Sequence, residues 1–338
     1  MTVTVNSSFQ RTRDAVQPCL RAAVKRMDPM SAALASYHLG WTDIDGRPLD
    51  ADGGKSLRPA LALLSAQAAG APLEIGIPGA VAVELVHNFS LIHDDVMDRD
   101  EERRHRPTVW SVWGVPSAIL TGDAMLIAAQ NALLDSGSPH AASALRLLLE
   151  ATRDLIGGQA EDLDFESRSD VSLEDCQKMT AGKTGALLSA SAAIGAVLAG
   201  APLRTVDALS RYGDHVGAAF QLVDDLLGIW GDPAVTGKPV LSDLRSRKKS
   251  LPVTYALSQG TRESRDLAAR IRSTRRDSES DLARMAALVE AAGGRRWTEE
   301  EAERQIRYAL TALDEIEMDG EVRTEMAELA EFVVARRH

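Results

Sequence analysis

The chain has 338 residues, 45% of them apolar but only 4% aromatic, enough for a large core made mostly of Ala, Leu and Val. That mixture suits closely packed helices better than sheets, where β-branched and aromatic residues concentrate. A formal charge of −11, from 38 Lys plus Arg against 49 Asp plus Glu, speaks against nonspecific nucleic-acid binding through basic patches. A quarter of charged residues beside a full apolar complement speaks against global disorder.

Residues 1–12 carry no apolar signal core and are expected to form a disordered N-terminal tail. Apolar positions then recur at steps of three or four, as one helix face requires, over residues 13–37, 57–69, 79–97, 116–134, 141–163 and 173–199. The same period continues over residues 203–230, 250–257, 280–292, 298–316 and 320–336. Residues 184–203 are uncharged and long enough to span a bilayer, but they are rich in Ala, Gly and Ser and contain Pro202, which suits a buried core helix. Turn chemistry separates these runs at residues 50–54, 103–107, 167–170, 231–239 and 293–294. Residues 261–281, dense in Arg, Asp, Glu and Ser, suit a solvated helix pair or a mobile loop. No run alternates with period two for long enough to make a strand. No fixed-period repeat or low-complexity linker is present, so a single all-α domain over residues 1–338 is expected. Cys19 and Cys176 give neither a disulfide framework nor a zinc spacing, which fits a reduced cytoplasmic protein.

The strongest local signal is LIHDDVMDRD, residues 91–100. Asp94 and Asp98 are four apart, so on a helix they share a face one turn apart and repel each other. A divalent cation would remove that cost, and hard carboxylate oxygens suit Mg2+. The plain alternative is a solvated acidic helix end. Against it, the cluster follows the apolar run AVAVELVHNFSLI, and a helix C-terminus favours cations. A second pair, Asp224 and Asp225 in FQLVDDLLGIWGD, also ends an apolar helix, with Asp232 seven beyond Asp225. Two helices that each end in paired aspartates suggest walls of one site where Mg2+ bridges a polyphosphate, because Mg2+ keeps few protein ligands.

Basic residues lie beside these clusters. They are Lys55 and Arg58 in GGKSLRP, Arg103, Arg104 and Arg106 after the first aspartates, Lys183 in KTG, and Lys238 and Lys248 after the second pair. Taken singly each reads as a surface charge. Nucleotide readings fail on spacing: five residues separate Gly231 from Gly237, where a phosphate-binding P-loop needs four, and Pro239 replaces its hydroxyl.

Seven motifs in order, GGKSLRP, HDDVMDRDEERRHRPT, GQAED, KTG, FQLVDDLLGIWGD, GKP and DLRSRKKSLP, make the chain resemble the trans-type isoprenyl diphosphate synthases, over a motif-bearing core of about residues 50–255. The resemblance implies an isoprenoid synthase fold, antiparallel helices around a deep central cavity, and Mg2+-dependent head-to-tail condensation of isopentenyl diphosphate with an allylic diphosphate. It assigns Mg2+ to Asp94 and Asp98, with Asp95 beside them, and to Asp224 supported by Asp225, three ions in all once diphosphate is bound. It gives the allylic diphosphate to Arg103, Lys183 and Lys238, and isopentenyl diphosphate to Lys55, Arg58, His87 and Arg104. Thr184 and Gln221 then stand near the developing cation, Gln159 and Asp162 support the cavity wall, and Lys248 closes over the site. The family norm is a homodimer, with no membrane span. Two departures stand out. Gly228 occupies the fifth position of the second motif, usually Asp, and His105 stands where Gly is common.

In this family the residues just before the first aspartates form the cavity floor, which points to Phe89 and Ser90. Phe89 lies roughly 7.5 Å down the helix axis from Asp94 but is turned roughly 140° from it, so the helical wheel alone does not select it. Without the resemblance it reads as ordinary core. A single aromatic here, with Ser90 beside it, is similar to the pattern of geranylgeranyl synthases, and farnesyl diphosphate stays open as a product. A class I terpene cyclase lacks the second aspartate pair, and an inactive synthase-like subunit typically loses the first. Both pairs are present here.

Overall fold

The computed structural model describes residues 3–49, 56–168, 170–232, 240–273 and 277–335. They fall into two compact units, each assembled from separate stretches of chain: Met1–Thr152, Ser189–Ser210 and Leu313–Leu329 in the first, Arg153–Leu188, Arg211–Ala312 and Ala330–His338 in the second. No one point in the sequence divides the two units.

In the first unit, α1 (Val3–Lys25) and α2 (Pro29–His38) replace the expected tail and single helix. Residues 3–12 are helical because Phe9, Thr12, Val16, Leu20 and Ala23 step by three or four and are all buried, a face that begins inside the supposed tail. Arg11 adds an ion pair to Glu325 at 2.6 Å. The break falls at Asp28-Pro29. Asp28 accepts from the Met30 and Ser31 N–H groups and Pro29 occupies the first turn, the chemistry of a helix start.

Helix α3 (Leu57–Ala68) is buried along nearly its whole length, and α4 (Ile77–Asp98) packs against both it and α6 (Val115–Leu134). Close approach depends on small residues. Gly195 of α9 (Ala186–Leu198) donates its N–H to Ser65 Oγ at 2.9 Å, and a Cβ there would strike the Ala62 carbonyl. After α4 comes a short hairpin, β1 (Glu102–Arg103) against β2 (Arg106–Pro107), then α5 (Val109–Trp113). Strands of two residues are too short to leave a period-two pattern, which is why the sequence reads as loop there.

The second unit holds the later part of α7 (Ala141–Ser167), α8 (Leu173–Thr180), a π-helical turn (Ala181–Gly185) and α10 (Leu203–Trp230) from Arg211 onward. The π-turn interrupts what reads as one helix over 173–199. Helices Ser242–Arg245, Leu251–Ser258, Arg262–Ile271, Glu279–Ala291 and Gly294–Leu313 complete it up to Ala312. The polar segment 261–281 thus contains a helix and a capping box, in which Ser278 and Asp281 each bond the other's backbone N–H. Two cores hold this unit. One gathers Phe165, Cys176, Met179, Leu222, Val223 and Leu251, the other Ile229, Val253, Leu267, Leu282, Met285 and Val289. Each such side chain, fully buried, is worth about 1.5–3 kcal/mol.

Among the described residues, three helical stretches, Leu73–Asp98, Val115–Leu134 and Leu173–Leu198, are long and apolar enough to cross a membrane. The first and third are largely buried inside the protein, whereas α6 exposes Leu120, Ile127 and Leu134, spaced by seven along one face.

Candidate active site

In the first unit the site grows from the end of α4. Asp94 is half-buried and Asp98 exposed, one turn apart as their spacing requires. Asp95, between them, is buried and engaged elsewhere: Arg103 Nε donates to its Oδ1 at 2.7 Å. The hairpin makes that contact reachable. Arg104 and His105 both have positive φ, 53° and 59°, the backbone of a two-residue type I′ turn. His105 therefore carries the strain a glycine would avoid, about 1–2 kcal/mol. Arg106 is occupied structurally, stacked over the Tyr37 ring at 4.2 Å and donating to the Tyr37 and Thr42 carbonyls.

Burial raises the Asp95 carboxyl to about 6, against the pull of Arg103. Its folded value exceeds its unfolded value of 3.8, so the fold binds the extra proton. The stability it contributes is complete below pH 3.8 and is lost as pH rises through 6. Wild-type protein should lose on the order of 3 kcal/mol relative to Asp95→Asn between pH 3.5 and 7. Urea unfolding of both proteins across that range measures it.

Arg58, His87, Arg103 and Arg104 are electrostatically coupled in the same unit. Burial and these three guanidinium charges keep His87 neutral, well below its usual range. Burial also lowers Arg58 to about 10, partly offset by Glu84. Arg58 Nε is buried with no hydrogen-bond partner among the described residues. Cations crowded this way are stabilised by an anion that also offers an acceptor to Arg58 Nε. Lys55 lies outside the described residues.

In the second unit the π-turn presents Lys183 and Thr184, an irregularity frequent at functional sites. Lys183 Nζ donates to Asp162 at 2.6 Å, and Thr184 Oγ1 donates to Gln221 Oε1 at 2.7 Å. Gln221 Nε2 donates in turn to Asp225 Oδ1 at 2.8 Å, and the Leu251 N–H to Asp225 Oδ2 at 2.8 Å. Gln159 is buried on α7, and its amide has no partner among the described residues. Glycines bring the backbones together: a Cβ at Gly158 would overlap the Lys183 backbone, and one at Gly182 would meet the Asp154 carbonyl at 2.8 Å. The Gly157-Gly158 pair was the sequence signal for this contact, and spacing alone did not give it meaning. Gly158→Ala must push the π-turn away, so kcat/KM should fall roughly 10- to 100-fold with a stability loss of about 1–3 kcal/mol. Steady-state kinetics beside thermal unfolding separates the two effects.

The second aspartate pair divides its roles. Asp224 is exposed, while Asp225 is buried with both oxygens bonded. The Asp225 carboxylate, expected beside Asp224 at the metal, anchors Gln221 and the start of helix Leu251–Ser258. Lys248 is half-buried. Burial opposes its charge, but Asp225, Asp243, Asp162 and Asp224 outweigh burial and hold its ammonium above the usual range. The glycine at position 228 also has a local reason. The Asp243 carboxylate occupies the space a side chain at 228 would take, and Ser242 Oγ donates to the Gly228 carbonyl at 3.2 Å. Asp232 is exposed, and Lys238 lies outside the described residues.

Asp94 and Asp98 belong to the first unit and Asp224 to the second. Among the described residues, no three His, Cys, Asp or Glu side chains gather to hold a metal unaided. In each unit the carboxylates suit Mg2+: hard oxygens, few in number, with water and phosphate to supply the rest.

Residues 48–289 match the family model described as Polyprenyl synthetase. The chain is 53% identical over 325 residues to a (2E,6E)-farnesyl diphosphate synthase of Mycobacterium tuberculosis, covering 95% of this chain and 90% of the relative. It is 44% identical over 306 residues to a geranylgeranyl diphosphate synthase of the same organism, covering 90% and 87%. The crystal structure of a polyprenyl synthetase from Streptomyces coelicolor superposes with a TM-score of 0.93 at 53% identity, covering 97% of this chain and 99% of that one. Prenyl diphosphate synthases use isopentenyl and allylic diphosphates, and the family is generally Mg2+-dependent. The chain belongs to the polyprenyl synthetase family and is a short-chain trans-prenyl diphosphate synthase, a prenyltransferase.

Proposed function

We propose that the enzyme extends an allylic diphosphate by isopentenyl diphosphate to give geranylgeranyl diphosphate. The observation that carries the product length is the pair Phe89 and Ser90: one buried aromatic ahead of Asp94, with a small buried neighbour rather than a second ring. The farnesyl reading is favoured by a separate observation, the 53% identity to a farnesyl diphosphate synthase.

Arg58, His87 and Arg104, with Lys55, hold isopentenyl diphosphate. Neutral His87 contributes a hydrogen bond without adding to the cationic crowd. Arg103, Lys183 and Lys238 hold the allylic diphosphate, and Lys248 covers it. Asp94, Asp98 and Asp224 are the residues that would hold Mg2+, three ions with diphosphate bound. When bound, the ions neutralise the charge that builds on the departing diphosphate. The allylic carbon–oxygen bond breaks to release diphosphate, the isopentenyl double bond attacks the resulting cation, and one proton passes to the released diphosphate, regenerating an alkene. Thr184 donates to Gln221, which leaves the hydroxyl oxygen lone pairs toward positive charge. A water-poor, apolar lining keeps the cation from being trapped.

The exposed heptad-spaced face of α6, Leu120, Ile127 and Leu134, supports a homodimer in which a second copy covers it. The reading also places the enzyme in the cytoplasm with no membrane span. The test of function is direct. Pure protein with Mg2+, isopentenyl diphosphate and each allylic diphosphate should yield a linear C20 diphosphate. A C15 end product selects the farnesyl reading, and no elongation from any primer removes the synthase reading.

A further inference from the structure

His93, immediately before Asp94, has no part in the chemistry above. Its ring lies edge-on to Phe89, with centroids 5.0 Å apart and planes at 72°. Its Nε2 meets the Ile119 carbonyl of α6 at 3.0 Å, and since a carbonyl only accepts, Nε2 carries the hydrogen. The ring fills a notch in α6 left by Gly122, where a Cβ would fall on the imidazole. One imidazole therefore touches Phe89 on its own helix and is pinned to the backbone of α6.

We infer that His93 is a positioning residue for product length: it locks the Phe89 ring against rotation by bracing it on α6 at Ile119 and Gly122. This rests on the reading of Phe89 as the cavity floor. A lone phenylalanine on a helix can change rotamer and let a longer chain pass. Phe89 cannot do so while the space behind it is filled by a ring that is itself hydrogen-bonded. Edge-to-face aromatic contact and the hydrogen bond add to the same end. Gly122 is needed because any larger residue would displace the brace.

The experiment measures product carbon number for wild type, Phe89→Ala, His93→Ala and the double variant, each with the same primer and excess isopentenyl diphosphate. His93→Leu is included as a packing-conserving variant that fills the notch but has neither the ring edge nor the hydrogen bond. His93→Gln keeps a donor for the Ile119 carbonyl. Expected are a Phe89→Ala product at least one C5 unit longer, and a ratio of longer to wild-type product raised about tenfold in His93→Ala and His93→Leu, the equivalent of about 1.4 kcal/mol of ring fixation. His93→Gln should recover part of the wild-type distribution. The double variant should match Phe89→Ala alone, because the brace has nothing left to hold. If Phe89→Ala lengthens the product while His93→Ala and His93→Leu leave it unchanged, His93 is not the brace and the Phe89 reading survives. Shifts that simply add in the double variant also overturn the brace. Unchanged length in Phe89→Ala removes the floor reading and the inference together.

Discussion

Asp94→Ala should lower kcat/KM at least about 100-fold at saturating Mg2+ while changing unfolding stability by less than about 1 kcal/mol. The two halves of this expectation have one cause. Asp94 and Asp98 sit in the last turn of α4, where the helix dipole disfavours anions and where the two carboxylates repel across one turn. Such a pair contributes little to the fold. In the proposed reaction the pair would hold Mg2+, and charge on the leaving group is what the enzyme must stabilise. Kinetics with an Mg2+ titration, together with urea unfolding in chelator, reads both halves. Retained turnover would show that the metal does not depend on Asp94. Asp95, one residue on, should behave differently, because it is buried and spends its charge on Arg103.

The contrast shows what the sequence could carry. Spacing selected the helix ends and the aspartate pairs, because periodicity and helix geometry are local properties. It could not assign adjacent carboxylates to different roles. Asp94 and Asp95 differ only in which way a helix points them, and Asp224 and Asp225 likewise. One member of each pair is accessible and the other buried against a residue distant in sequence, Arg103 for Asp95 and Leu251 for Asp225. The N-terminal helix was missed because its buried face alternates Ser8 and Thr12 with Phe9, so polarity hid the period. The π-turn at Ala181–Gly185 was missed because an extra residue per turn leaves the apolar pattern on either side nearly unbroken. Gly228 read as a defect of the second aspartate motif. In three dimensions it is the complement of Asp243, whose carboxylate fills that space from fifteen positions along the chain.

Asp225→Ala is the substitution expected to damage the fold most, by about 3–5 kcal/mol, because it strands the partners of a buried charge. The carboxylate receives Gln221 Nε2 and the Leu251 N–H, each at 2.8 Å, and is the largest of the charges that hold Lys248 ionised. It also begins helix Leu251–Ser258. Ser250 makes no side-chain cap there, so the Asp225 oxygen supplies the acceptor and the negative charge that a helix N-terminus favours. Burial pushes the Asp225 carboxyl up to about 6, with Lys248 and the two hydrogen bonds opposing, so it is mostly ionised at pH 7.5. Asp225→Asn keeps one acceptor oxygen and should cost less, about 1–3 kcal/mol. Denaturant unfolding in chelator isolates this role from any metal. Under that condition Asp225→Ala should unfold well before wild type, and Asp94→Ala should not. Equal midpoints for Asp225→Ala and wild type without metal would return Asp225 to the Mg2+ ligands. A deficit of Asp225→Ala that appears only when Mg2+ is present would do the same, since an anchor built from Gln221, Leu251 and Lys248 requires no ion.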